Sequence, residues 1–189
     1  MDSQAVFTNS LHEHRAILDA LDVLVPDMVA ASNLLSSCLA AGKAILLAGN
    51  GGSASDAQHI AGELVGRFLR ERMGAPAIAL SGMDATLTSI ANDYGYEHVY
   101  SRQIEAFRAN SGVFIGLSTS GNSPNILLAL NRAREFGMKT IGFTGESGGK
   151  MALACDVCLC VPSSHTPRIQ EIHILLGHIL CEIVEKNLE

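Results

Sequence analysis

The sequence is poor in charge, and the charge it has is of the wrong sign for several functions. Charged residues fill 17% of 189 positions, and acids outnumber bases by 19 to 13, for a net charge of −6. Neither nucleic acid nor an anionic membrane is therefore expected as the main partner. Glycine (18) and proline (5) are too few for collagen or a low-complexity chain, and 48% apolar residues exclude disorder. Long apolar runs are missing as well. The nearest, 172–184, is shorter than the roughly 18 residues of a membrane span and carries two histidines and a glutamate. The start has Asp2 and no basic-then-apolar stretch, so no secretory signal is expected and the chain reads as cytoplasmic. Five cysteines are an odd count in a chain long enough to bury its own core. They read as reduced thiols.

What is present is an alternation. Leu11, Leu18, Leu21 and Val25 recur at helical spacing, Pro26 forces a break or restart, and Gly42 is placed to end a second helix near Leu39. Five short apolar runs follow, at 44–48, 77–80, 113–117, 140–143 and 157–161. Helical stretches separate them, at 55–71, 97–109, 124–136, 148–154 and 168–187, and no Asn-Gly or Asp-Gly hairpin joins one run to the next. The pattern predicts βαβ units around a parallel sheet, one α/β domain behind a helical N-terminal extension. Ligands of such sheets sit beyond the carboxyl ends of the strands.

Two loops stand at that edge. Gly49-Asn50-Gly51-Gly52-Ser53-Ala54-Ser55 follows the first run, and Ser55 with Gln58 has capping-box spacing, which predicts a helix starting there. The loop also satisfies the dinucleotide fingerprint, but the acid that would hold the ribose arrives only at Asp84. A tight turn without ligand is the plainer alternative. Ser118-Thr119-Ser120-Gly121-Asn122-Ser123-Pro124 follows the third run; Ser123 fits an N-cap and Pro124 the first helical position. Three hydroxyls ahead of a helix N-terminus suit a phosphate, which neutral donors and the helix dipole can hold without lysine. A third loop, Gly145 to Lys150, is no Walker motif: Thr144 replaces the first glycine and Met151 the magnesium-binding hydroxyl.

His59 and Glu63 lie four apart, on one face of the helix after the glycine loop. Gln170 and His178 lie eight apart on the last helix, roughly 80° around its axis, so one site can see both. Glu171 and His173 compete with them on spacing, whereas His12 and His14 read as solvated. A surface ion pair is the bland account of His59 and Glu63. Cys155, Cys158 and Cys160 form no four-thiolate metal site, since no second pair exists. Strand alternation is expected to send the sulfurs of Cys155 and Cys158 to opposite faces, as small buried hydrophobes.

Three segments together carry a resemblance: Gly49 through His59, Leu117 through Ser123, and Arg168-Ile169-Gln170-Glu171-Ile172-His173. With them the chain resembles the sugar isomerase (SIS) domain family over nearly its whole length. The resemblance implies a three-layer αβα sandwich, doubly wound and flavodoxin-like, with a five-stranded parallel sheet. It implies one domain spanning 1–189, helices of residues 1–41 in oligomer packing, and a homotetramer with active sites at subunit interfaces. The implied activity is aldose–ketose isomerisation of a phosphorylated seven-carbon sugar through an enediol(ate). Sedoheptulose 7-phosphate would become D-glycero-D-manno-heptose 7-phosphate, on the way to the activated heptose of lipopolysaccharide core or related glycans.

By motif, Asn50, Gly51, Gly52, Asn92 and Asp93 would line the substrate, and Ser118, Thr119, Ser120 and Ser123 would hold its phosphate. His59, Glu63, Gln170 and His178 match the ligands of one zinc ion per subunit. Glu63 and His178 match the catalytic pair, and Glu63 and Gln170 also meet substrate. Pro167 stands where some members carry an aspartate. Two alternatives stay open: a non-catalytic SIS-domain protein of the type that associates with the replication initiator, and an isomerase of another sugar phosphate. The glutamate at 63 and the histidine at 178 favour an enzyme.

Overall fold

The computed structural model describes residues 2–188. Five strands form one parallel sheet: β1 (Ala44–Gly49), β2 (Ala77–Ala79), β3 (Ser111–Leu117), β4 (Lys139–Thr144) and β5 (Val157–Cys160). Their order is β2-β1-β3-β4-β5, the doubly wound order predicted. Register runs Leu47 to Ala79 on one side of β1 and Gly49 to Leu117 on the other. Every residue of β1 is buried, because helices cover both faces of the sheet.

The helices are α1 (Ser3–Leu18), α2 (Val25–Ala40), α3 (Gly52–Val65), α4 (Asp84–Tyr94), α5 (Ser101–Phe107), α6 (Pro124–Glu135), α7 (Met151–Ala154) and α8 (Thr166–Asn187). Alternate residues of β1 feed two cores. Ile45 and Leu47 pack with Leu35 of α2, Leu64 of α3 and Ile172 of α8. Leu46 and Ala48 pack on the other face with Tyr100, Ile126, Leu130 and Met151. Each fully buried aliphatic side chain is worth roughly 1.5–3 kcal/mol.

Four expectations need correction. Helix α3 begins at Gly52, not Ser55, because Gly51 takes φ +56 and lets Ser53 N–H donate to Asn50 O at 3.1 Å; Gln58 instead donates to Ser81 O. The same helix stops at Val65, short of 71, and residues 66–76 form a loop. Helix α4 was not expected: it buries no residue fully, and only Leu87, Ile90 and Ala91 lean on the core. The longest apolar stretch is Leu21–Ala40, twenty residues that could cross a membrane by length and composition. It is no straight span, since a 3₁₀ turn (Leu21–Leu24) precedes α2, Pro26 sits in the first turn, and Met28, Ala31 and Leu35 pack in the core.

The cysteines also differ. Cys155 lies before β5, outside strand alternation, and its sulfur and that of Cys158 both face Gly142. Cys158 and Cys160 share a face, with sulfurs 3.8 Å apart. All five cysteines are free thiols, and burial pushes the Cys160 thiol above its ordinary range.

One buried charge organises the 66–76 loop. Glu185, 3% exposed on α8, accepts from the amides of Phe68, Leu69 and Arg70 at 2.8–3.0 Å. Arg72 closes the clamp, donating to Glu185 at 3.1 Å and to the carbonyls of Leu64 and Glu63. Burial works against the carboxylate, but the three amides and the guanidinium outweigh it and hold its pKa below the ordinary value. Stability from such a group is present above the unfolded value of 4.5 and is lost as pH falls towards the lower folded value. Glu185→Gln should cost on the order of 3 kcal/mol at neutral pH, as for a buried pair losing one partner. In urea unfolding, its deficit against wild type should shrink as pH drops below 4.5; a deficit constant with pH would refute the assignment.

Candidate active site

The order of the sheet reverses between β1 and β3, so the loops that follow these strands face each other across the sheet edge. The glycine loop can turn so sharply because Gly49 has no side chain: a Cβ there would lie 2.4 Å from Ser53 O. Asn50 spans the crevice. Its amide pairs reciprocally with that of Asn125, at 2.9 and 2.8 Å, and its oxygen also accepts from the Tyr96 hydroxyl at 3.1 Å. Tyr100 anchors the turn by donating to Gly49 O. Asn50, Tyr96, Ser123 and Asn125 border an open cleft of about 690 Å³.

The hydroxyl loop is a real cluster. Ser123 occupies the N-cap position of α6 but its hydroxyl makes no cap bond. It meets Ser118 Oγ at 2.8 Å instead, and Ser118 approaches Ser120 Oγ at 3.4 Å. Thr119 and Ser120 line a second cleft, about 290 Å³, with Ser147, Ser163 and Thr166. The Gly145–Lys150 loop has a supporting role. Gly145 N–H donates to Thr119 O, Met151 N–H to Gly121 O, and Lys150 N–H to Asn122 Oδ1. Gly121 (φ +64) allows this contact, since a Cβ there would strike Gly148 O.

Helix α3 carries His59 and Glu63 towards α8. Gly177 of α8 packs against Ile60 of α3: a Cβ there would lie 2.5 Å from the Ile60 side chain. His178 therefore meets His59 Nε2-to-Nε2 at 2.9 Å, and His59 lies 3.3 Å from Glu63 Oε1. The three ligand atoms all lie within 4.8 Å of one another. Three lone-pair donors converging this closely repel unless a proton or a cation sits among them. Donors 2.0–2.1 Å from a tetrahedral ion stand ~3.3 Å apart. The set fits a metal ion.

Gln170 of α8 reaches the first turns of α3. Its amide is 3.4 Å from Asp56 Oδ1 and overlies Gly52, where a Cβ would fall 2.4 Å from its nitrogen. Asp56 was missed from sequence, although it precedes His59 by three residues and Glu63 by seven on one helix face. It is 7% exposed and its Oδ2 has no partner among the described residues. Burial raises its pKa, against the pull of the Gln170 hydrogen bond and the His59 charge. Tyr96, Tyr100 and Asn125 were missed too.

The remaining candidates lie outside this cluster within the single chain. Asn92 and Asp93 are exposed on α4, hydrogen-bonded to each other at 2.9 Å; among the described residues they share no hydrogen bond with either loop. Glu171 pairs with His14 at 2.8 Å and with Arg168, which ties α1 to α8. His14 is thus engaged rather than simply solvated, while His12 is exposed. His173 is fully buried, bonded to Thr144 O at 3.1 Å, and burial lowers its pKa to about 4. It is a neutral core residue. Pro167 takes the first turn of α8.

Two glycines of α3 should respond oppositely to alanine. Gly52→Ala should displace the Gln170 amide and lower turnover at least ~10-fold, the scale of a misplaced site group, with the fold intact by circular dichroism. Gly62 has open space at its Cβ, so Gly62→Ala should stabilise by roughly 0.5–1 kcal/mol. Equal turnover in Gly52→Ala and wild type would show that the close approach of Gln170 is idle.

A model of the SIS domain matches residues 11–145. The phosphoheptose isomerase of Aneurinibacillus thermoaerophilus is 58% identical over 145 residues, 77% of this chain and 73% of that protein. The phosphoheptose isomerase of Aliarcobacter butzleri is 48% identical over 184 residues, covering 97% of each. The solved structure of a phosphoheptose isomerase from Neisseria gonorrhoeae, 41% identical, superposes with a TM-score of 0.91 over 97% of this chain and 98% of that one. Likeness of this extent, in sequence and in fold alike, means that the chain belongs to the SIS domain family and, within it, to the phosphoheptose isomerases.

Proposed function

We infer that the chain is a phosphoheptose isomerase that interconverts sedoheptulose 7-phosphate and D-glycero-D-manno-heptose 7-phosphate. The observation that carries this reading is the convergence of His59, Glu63 and His178 between α8 and the helix that follows the glycine loop, in a chain whose relatives bear that name. A non-catalytic phosphosugar-binding protein would need the hydroxyl loop but not an acid–base pair. The triad therefore favours the enzyme.

The reaction moves a carbonyl between C2 and C1. A base removes a proton from C1 while an acid protonates the C2 oxygen; the C1 hydroxyl then loses its proton and C2 gains one. Glu63, a quarter exposed, is the base. His178 serves the oxygens. Ser118, Thr119, Ser120 and Ser123 hold the phosphate, and Asn50, Gly51 and Gly52, with Asn92 and Asp93, line the sugar. One zinc ion per subunit, held by His59, Glu63, Gln170 and His178, would stabilise negative charge on the enediolate oxygens.

In this reading the working unit is a homotetramer with sites where subunits meet. Phe7, Val23, Val25 and Val29 support it, all more than half exposed on the N-terminal segments. So does the solvent access of His59, whose side chain is 50% exposed.

Glu63→Gln keeps shape but loses the base, so turnover should fall by ~10²–10⁴-fold while substrate binding survives. Product made by wild type in deuterated water should carry deuterium at C2. Near-normal turnover in folded Glu63→Gln would sink the mechanism. Protein purified without chelator should contain zinc, and His59→Ala should lower that content. Equal metal in wild type and a His59→Ala/His178→Ala double variant would move the ion elsewhere.

A further inference from the structure

We propose that Phe68, held by the Glu185–Arg72 clamp, is a positioning residue that fixes the ring of His178. The inference rests on the role assigned above to His178 and adds a residue outside the implied site. Among the described residues, His178 has one hydrogen-bond partner, the Nε2 of His59. Its Nδ1 has none. A metal-binding or proton-moving histidine usually donates its second nitrogen to a carboxylate or carbonyl, which fixes the plane of the ring. Here no protein group among the described residues plays that part, and an aromatic face lies against the ring instead. The Phe68 ring stacks on His178 with centroids 5.6 Å apart and planes 25° apart, while His59 meets His178 edge-on.

A stack can orient a ring only if its own backbone is fixed, and Phe68 stands on a loop. The clamp supplies the fixity. Glu185 lies on α8, two turns beyond His178, and takes the Phe68 amide together with the next two. Arg72 binds the same carboxylate and the carbonyl of Glu63 itself. Loop, helix α3 and helix α8 are thus joined by one ion pair, so the ring of Phe68 is referenced to the backbone of both catalytic candidates. Its neighbours behave differently. Leu69 is 61% exposed and Met73 91%, whereas Phe68, between them and α3 in the chain, packs against the core.

Phe68→Leu keeps an apolar side chain but removes the flat face, and Phe68→Tyr restores it. Zinc affinity, by competition with a chromophoric chelator, should weaken about tenfold or more in Phe68→Leu, the scale for lost outer support of a ligand. Its kcat should fall about tenfold with KM within about twofold, the signature of a contact that matters in the transition state. Phe68→Tyr should recover both, and the unfolding midpoints of the three proteins should agree. In chelator-stripped protein, NMR relaxation should find the His178 ring rigid in wild type and exchanging between rotamers in Phe68→Leu. Wild-type behaviour of Phe68→Leu, or failure of Phe68→Tyr to rescue, overturns the proposal. If wild type takes up no zinc and turns over no sugar phosphate, the assigned function fails. The rotamer measurement still decides the positioning role.

Discussion

The close approach of α3 and α8 is the constraint on which the site depends. Gly177 and Ile60 touch where any side chain at 177 would collide, and the residues that follow and precede them are His178 and His59. Here the absent Cβ lets two imidazoles meet nitrogen to nitrogen. The other end of α3 is set by the same device, since Gly49 and Gly51 let the helix begin as soon as β1 ends. Along α3, Glu63 follows His59 by four residues, one turn further on the same face.

Polar groups at the site are arranged at two depths. Those open to solvent, such as Thr119 and Ser120 in their cleft and His59 on α3, keep spare hydrogen-bonding capacity. Those behind them are tied down: Asn125 to Asn50, Tyr100 to the glycine turn, Glu185 to three amides. Asp56 departs from this rule. A buried carboxylate oxygen without a partner costs free energy, and its position one turn from His59 sets that cost beside the groups that react.

The parallel sheet was legible because each strand is a short apolar run with a helix after it, and burial on both faces demands that pattern. The two loops were legible from glycine and hydroxyl spacing, and His59 with Glu63 from the helical period. Helix α4 was hidden because it leans on the core through three partly buried residues and has no fully buried face. The early start of α3 was hidden because it follows from a positive φ at Gly51, whereas the capping-box spacing at Ser55 pointed three residues later. Glu185, Phe68, Tyr100 and Asn125 were illegible for a different reason. Each acts on a residue distant in sequence, and nothing local distinguishes Glu185 from a solvated acid near a helix end.

The reciprocal amide pair of Asn50 and Asn125 has an evolutionary consequence. Each amide presents its donor to the other's acceptor, so the two positions are complementary as hydrogen-bonding shapes. Changing either one alone to aspartate sets acceptor against acceptor, and to leucine leaves a polar group stranded beside Asn125, which is 2% exposed. Exchange at these positions therefore has to pass through a mismatched intermediate or occur in both at once. The crevice at the switch point is in this sense locked by epistasis.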